Sequence, residues 1–138
     1  IIGLCQLQRL DAMIEKRTKN QSLFFELIDK DHFETKFMFE GSSNYAFNLL
    51  LKEKDQQLMD RLIELLNKNN IEFRRGSAGG GNQLRQPYLK NLVQEGEFKK
   101  YPNTDHVHFY GMYIGNFPDL SEDEIEFICQ VINKATVR

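Results

Sequence analysis

The sequence predicts an α+β fold in which a small antiparallel or mixed sheet is covered by helices and preceded by a long N-terminal helix. Three observations predict it. The first is that apolar residues recur at helical spacing at both ends of the chain. The second is that the middle of the chain has short segments typical of strands before and after a further helical segment. The third is the length, because 138 residues suffice for one domain with its own core.

The first helix is predicted over residues 1–29, where apolar side chains recur three or four residues apart with charged ones between them. The first apolar positions are Leu4, Leu7, Leu10 and Ile14. The chain starts inside this pattern, with no initiator methionine and no capping residue. We therefore expect residues 1–29 to link to a large domain that precedes them, and residues 30–138 to form the small α+β domain. Period-two alternation over 33–39 predicts a short strand.

The middle of the chain alternates strand and helix signals. Residues 44–51 are aromatic and apolar enough to predict a central strand. Asp55 can cap a helix over 55–68, and 71–74 predict a brief strand. The glycine-rich segment 76–84 predicts a loop.

The last third of the chain predicts four short elements. A short helix is expected over 87–93, because proline suits a first helical turn, and another helical turn over 105–109. Residues 111–115 predict a strand, and Ser121 with Glu124 predicts a capping box. The expected core face of the terminal helix is Ile125, Ile128, Cys129 and Ile132.

Charge and composition exclude several classes of function. The net charge is -2 and both signs are mixed along the chain, which argues against nucleic acid and anionic membranes as partners. No apolar stretch approaches the ~18 residues that would cross a bilayer, and no signal peptide precedes the first helix, so we expect a cytoplasmic protein. Cys5 and Cys129 lack the spacing of a zinc site or a disulfide scaffold, and we expect both to be reduced and buried.

The glycine-rich loop is the strongest candidate for a binding site. It lacks the Gly-Lys-Ser/Thr ending of a Walker loop and does not match the dinucleotide fingerprint. Arginines and amides nevertheless bracket it, and arginine suits bidentate recognition of phosphate or carboxylate. These residues are Arg74, Arg75, Asn82, Arg85 and Gln86. The residues therefore indicate a site for a small anion, and a plain surface loop is the alternative.

Neither a metal site nor a catalytic centre stands out elsewhere. His106 and His108 lie two residues apart, but no cysteine or glutamate completes a ligand set nearby, so we expect one histidine to line a pocket and the other to face solvent. The lysines lie in charged, solvated stretches, where an amine keeps its proton. No serine or cysteine nucleophile lies in a recognisable motif.

Several segments in succession carry a family resemblance. Residues 2–17 (IGLCQLQRLDAMIEKR), 43–47 (SNYAF) and 113–125 (YIGNFPDLSEDEI) resemble the small domain of the DegT/StrS-type sugar aminotransferases, pyridoxal-phosphate (PLP) enzymes of aminotransferase fold type I. Residues 82–88 (NQLRQPY) are similar to the Gly-Asn-x-x-Arg-Gln-Pro segment of that family's keto-sugar 3-dehydratase branch, which makes deoxysugars for lipopolysaccharide O-antigens. Extra glycines before residue 82 depart from that pattern, so aminotransferase and dehydratase both stay open.

The resemblance implies a C-terminal small domain that is inactive by itself and closes over a nucleotide-diphosphate sugar in a homodimer. PLP and its lysine, or the histidine that replaces it in dehydratases, would lie in the large domain, so no catalytic residue is assigned in this chain. The substrate-binding residues implied by analogy are Asn82, Arg85 and Gln86, with Arg75 and His106 as weaker candidates. A stand-alone α+β module for binding a small anion or a protein partner is the alternative function.

Overall fold

The computed structural model of the protein describes residues 2–76 and 81–137. It opens with helix α1 (Ile2–Leu27), which confirms the predicted long helix. Only the second half of α1 is packed: Phe24 and Ile28, just beyond its end, are buried, whereas residues 3–12 are all exposed. Cys5 lies in the exposed half, so the prediction that both thiols are buried is wrong for Cys5. Cys129 is buried, and burial raises the pKa of its thiol to about 12.

Three antiparallel strands form the sheet: β1 (Ala46–Leu50), β2 (Phe73–Arg75) and β3 (Gly111–Gly115), in the order β1-β3-β2. The α+β fold predicted from the sequence is confirmed. The prediction that residues 44–51 form a central strand is wrong, because β1 is an edge strand and the glycine-bounded β3 lies in the middle. Apolar content reports the burial of a strand and not its place in the sheet, because β1 and β3 each have three buried residues although only β3 is central.

The strand predicted over 33–39 is also absent. Phe33 makes a single bridge to Leu51, and beyond it the Glu34 carboxylate accepts hydrogen bonds from the backbone N–H groups of residues 35 and 36. These local bonds use donors that a strand would offer to a neighbour. Phe37 and Phe39 do share one side, as the alternation predicts, and their rings lie 5.8 and 5.2 Å from the ring of Phe25 on α1.

Two further helices cover one face of the sheet together with the second half of α1. They are α2 (Gln56–Lys68), capped by Asp55, and α4 (Glu122–Lys134), which starts with the predicted capping box of Ser121 and Glu124. The ring of Phe24 stacks on that of Phe47 at 4.4 Å in the shared core. The opposite face of the sheet is more open, with Asn48 and Arg74 exposed and Tyr113 between them half-buried.

Short 3-10 turns, rather than longer helices, connect β2 to helix α3 (Pro102–Tyr110). They comprise residues 83–85, 87–89 and 97–100, so the helix predicted over 87–93 is reduced to one turn. Helix α3 is longer than the single turn predicted at 105–109, and it runs directly into β3. This arrangement brings α3 beside residues 81–86, which we call the arginine turn.

Buried asparagines fix α1 against the end of β3. Asn116 is 2% exposed, and its side-chain amide donates to the carbonyl oxygens of Arg17 and Asn44 at 2.9 and 2.8 Å. Its side-chain oxygen accepts a hydrogen bond from Asn20 at 3.1 Å. Every polar atom of this buried side chain is thus satisfied, as buried amides require.

Candidate functional site

The arginine turn begins where β2 ends. Gly76 adopts a positive φ of 58°, and its carbonyl oxygen accepts a hydrogen bond from the N–H of Gly81 at 2.7 Å, which brings the two ends of the glycine-rich segment together. Residues 77–80 of the predicted loop lie outside the described residues. From Gly81 onward the chain lies against α3.

Asp105 of α3 is the centre of the contacts that hold the arginine turn. Its carboxylate accepts hydrogen bonds from Nε and Nη2 of Arg85, both at 2.6 Å, and from the side-chain amide of Asn82 at 2.8 Å. The hydrogen bonds from Arg85, with a smaller contribution from Asn82, hold the pKa of the Asp105 carboxyl below its ordinary value. Such a bidentate pair fixes the plane of the guanidinium as well as its position.

Two aromatic rings add to the placement of Arg85. Its guanidinium carbon lies 3.8 Å from the ring centroid of Phe98 and 4.9 Å from that of Phe109, within the range of cation–π attraction. The Arg85 side chain keeps 27% of its surface exposed. Among the described residues, Nη1 has no hydrogen-bond partner, so this edge of the guanidinium can receive an anionic group.

Asn82 is enclosed rather than presented to solvent. It is 2% exposed, and its side-chain oxygen accepts a hydrogen bond from the N–H of Leu84 at 3.0 Å, which caps the 3-10 turn of residues 83–85. Its backbone N–H donates to Nδ1 of His108 at 3.1 Å. Both ends of the Asn82 side chain therefore support the shape of the arginine turn.

The other predicted site residues lie at varying distances from this centre. Gln86 follows Arg85 directly and is half-buried. Arg75 lies at the end of β2, where its Nη2 donates to the carbonyl oxygen of Phe109 at 2.7 Å. His106 lies on another side of α3, where its Nε2 is 2.6 Å from the carbonyl oxygen of Leu51. The structure brings Asn82, Arg85, Gln86 and Arg75 around the contact between α3 and the arginine turn, with His106 outside it.

Sequence reasoning missed Asp105 and His108 as members of the cluster. The missed signal is helical spacing: Asp105 and His108 are three residues apart and share one face of a helix, while His106 does not. The two-residue spacing of the histidines was weighed as a metal pair and set aside, because no cysteine or glutamate completes a ligand set nearby. Among the described residues, no group of three histidine, cysteine, aspartate or glutamate side chains is placed to hold a metal ion.

Two depressions on the described surface lie away from Asp105 and Arg85. One of about 620 Å³ runs between α1 and residues 118–122, and one of about 670 Å³ lies beside Tyr45, Tyr113 and Phe117. Of the residues predicted to bracket the anion site, Arg74 lines the second depression, and Arg75, Asn82, Arg85 and Gln86 line neither. Within the described part of the chain, no helix is long and apolar enough to span a membrane.

Comparison with known proteins decides the family. The sequence model of the DegT/DnrJ/EryC1/StrS aminotransferase family matches residues 1–133. The chain belongs to this family. The resemblance found in the sequence is thus confirmed over nearly the whole length.

Of two curated bacterial relatives, one is a sugar dehydratase by name and the other is named as a lipopolysaccharide biosynthesis protein. GDP-4-keto-6-deoxy-D-mannose 3-dehydratase of Escherichia coli O55:H7 is 27% identical over an alignment that covers 95% of this chain and 34% of that protein. Lipopolysaccharide biosynthesis protein RfbH of Salmonella typhimurium is 28% identical over 130 residues, which cover 91% of this chain and 29% of that protein. The chain thus spans about a third of the length of these relatives.

A solved structure agrees with these matches. GDP-4-keto-6-deoxymannose-3-dehydratase, solved with a trapped PLP-glutamate geminal diamine, superposes on this chain with a TM-score of 0.73 at 26% identity. The match covers 95% of this chain and 34% of that one. This chain therefore has the fold of about a third of that enzyme.

The residues of this chain do not fit a PLP site of their own. Every lysine is exposed, and the hydrogen bonds that Lys19 and Lys100 donate to the carboxylates of Glu122 and Glu97 raise the pKa of each lysine. A lysine that bonds to PLP must be able to lose its proton, which requires a desolvated or electropositive site. Among the described residues, the structure places no lysine in such a site.

Proposed function

We propose that this chain is the C-terminal small domain of a PLP-dependent nucleotide-sugar enzyme, either an aminotransferase or a keto-sugar 3-dehydratase of lipopolysaccharide O-antigen biosynthesis. The family match over residues 1–133 carries the proposal, and the names of both curated relatives support the sugar pathway. PLP, bound in the rest of the protein, supplies the electron sink for the reaction. The small domain contributes recognition and placement of the substrate.

The substrate-binding residues of this proposal are Asn82, Arg85 and Gln86, with Arg75 and His106 as weaker candidates, His106 lying outside the contact between α3 and the arginine turn. The support is the geometry of Arg85, whose Nε edge is fixed by Asp105 while Nη1 stays available. A guanidinium held in this way suits the diphosphate of a nucleotide sugar, because a preorganised donor loses little entropy on binding. Asn82 acts by shaping the arginine turn, since its side chain is enclosed.

Residues 1–29 are proposed to link this domain to the PLP-binding domain. Support comes from the exposure of residues 3–12, where Leu4 and Leu7 are 70% and 62% exposed on a helix of this chain. Apolar side chains exposed in series on one helix are typical of a covered interface. A homodimer in the cytoplasm, with a nucleotide-diphosphate sugar as the small-molecule partner, completes the proposal.

The test is product analysis with the full-length protein that contains this chain. The protein is supplied with PLP, glutamate and GDP-4-keto-6-deoxy-D-mannose, and the sugar nucleotide is followed by mass spectrometry. An aminotransferase replaces the keto oxygen with an amino group, whereas a 3-dehydratase removes the hydroxyl group at C3. Either product supports the proposal and selects the branch. An unchanged sugar nucleotide in the presence of bound PLP contradicts it.

A control with the 138-residue chain tests whether the cofactor is bound by the rest of the protein rather than by this chain. Mixed with PLP and borohydride, it is expected to form no stoichiometric covalent adduct, because every lysine is exposed and solvated. A stoichiometric adduct at a single lysine would show that the chain carries a cofactor site after all.

A further inference from the structure

Two side chains of α3 reach the arginine turn from the same helix face. Asp105 accepts hydrogen bonds from the side chains of Asn82 and Arg85, and His108, one turn later, accepts one from the backbone N–H of Asn82. The arginine turn is thereby bonded to α3 through its backbone, through a buried amide and through a guanidinium. These contacts join residues 20 to 26 positions apart in the sequence.

His108 has a defined role in this contact because its partner is a backbone donor. The N–H of Asn82 can only donate, so Nδ1 of His108 must accept and carries no proton in this arrangement. The imidazole also lies so close to Gly81 that a Cβ there would overlap Nδ1. The ring therefore fixes both the position of the turn and the residue type that can precede Asn82.

We infer that Asp105 and His108 are positioning residues for substrate binding, which hold Arg85 and the turn around Asn82 in the orientation that receives the sugar nucleotide. This inference rests on the proposed function, and it assigns neither residue a contact with the substrate. Asp105 holds the edge of the guanidinium formed by Nε and Nη2, which leaves Nη1 without a hydrogen-bond partner among the described residues. His108 holds the backbone from which Arg85 projects.

Kinetics of the full-length protein with its sugar nucleotide test the inference. Asp105→Asn removes the charge and one acceptor while keeping the shape of the side chain. We expect KM to rise about tenfold and kcat to stay within about twofold, because a misplaced Arg85 weakens ground-state and transition-state binding alike. The matched control is Asp119→Asn, the same change in an exposed ion pair with Lys16, and its KM is expected to be unchanged.

A second pair of variants separates positioning from general destabilisation. In His108→Asn the side-chain oxygen can take the place of Nδ1 as an acceptor, whereas His108→Leu offers no acceptor. We expect His108→Leu to raise KM about tenfold and His108→Asn to restore most of the affinity. Thermal melting of all variants shows that the comparison is made between folded proteins, and the His108 pair decides the question if Asp105→Asn does not fold.

Several outcomes would overturn the inference. An unchanged KM in Asp105→Asn and His108→Leu would mean that the turn keeps its shape without them. A lower KM in Asp105→Asn would mean that Asp105 competes with the substrate for Arg85. Equal KM values for His108→Asn and His108→Leu would mean that the hydrogen bond from the backbone N–H of Asn82 to residue 108 does not contribute to substrate binding. If the proposed function is wrong, the wild-type protein will not turn over the sugar nucleotide at all. That result can be told apart from a failure of this inference, in which the wild-type protein is active and the variants keep its KM.

Discussion

At the scale of single residues, Gly81 shows how closely the arginine turn is packed on α3. A Cβ at this position would overlap Nδ1 of His108 and lie 2.7 Å from the carbonyl carbon and oxygen of Gly76. The two backbone atoms cannot move aside without breaking the hydrogen bond that joins the two ends of the glycine-rich segment. Glycine is therefore required at position 81 because a larger side chain would overlap these neighbouring atoms.

Gly81→Ala is expected to destabilise the protein by about 2 kcal/mol, the usual range for overpacking at a site that cannot relax. Urea denaturation measures the change. The control is Gly3→Ala, the same substitution at an exposed helical position where a Cβ meets nothing within 4 Å. It should be neutral or slightly stabilising because alanine favours helix. Equal effects of the two substitutions would contradict the packing described for Gly81.

The sequence predicted part of this cluster and missed the rest for a physical reason. Arg85 and Asn82 are visible because they flank a glycine-rich segment within a few residues. Asp105 is not, because its contact with Arg85 spans 20 positions and depends on how α3 packs. Helical spacing groups Asp105 with His108 and separates His106, and the helical turn predicted over 105–109 already contains all three residues.

At the scale of elements, the joint between α1 and the sheet depends on Asn116. Its side chain bonds to two carbonyl oxygens and to Asn20, all in a region that excludes water. A buried polar group that loses its hydrogen-bond partner lowers the stability of the protein by more than the hydrogen bond itself contributed, because water cannot take the place of the lost partner. The amide therefore sets the angle at which α1 leaves the domain.

Asn116→Ala is expected to cost about 3 kcal/mol, since it leaves two carbonyl oxygens and the Asn20 amide without this partner. Chemical denaturation of the protein measures it, with Asn91→Ala as control at an exposed turn position. The control should stay within about 0.5 kcal/mol of the wild type. A similarly small effect of Asn116→Ala would mean that water or a rearranged side chain satisfies the buried groups.

Helices were predicted better than strands in this chain. The helix after Asp55 and the terminal helix have caps and apolar spacing that act within a few residues, and both were confirmed. Strand order depends on pairing between distant segments, which the sequence alone does not specify. For the same reason the alternation over 33–39 predicted the shared face of Phe37 and Phe39 correctly, while the strand itself was wrong.

At the scale of the whole molecule, the chain consists of a packed domain and an exposed helical segment, residues 3–12 of α1. The core lies between one face of the sheet and helices α1, α2 and α4. The arginine turn lies beyond that core, held by α3. This arrangement suits a domain that presents a binding turn to a partner domain, which is the role proposed for it.

The most direct test of this account is the KM of the full-length protein for its sugar nucleotide after Arg85→Ala. We expect an increase of about tenfold or more with a folded protein, because one charge-assisted contact is worth ~1.5 to 3 kcal/mol. Arg85→Lys should recover only part of the affinity, since lysine keeps the charge but not the bidentate geometry. An unchanged KM in Arg85→Ala would contradict the central claim that the arginine turn binds the substrate.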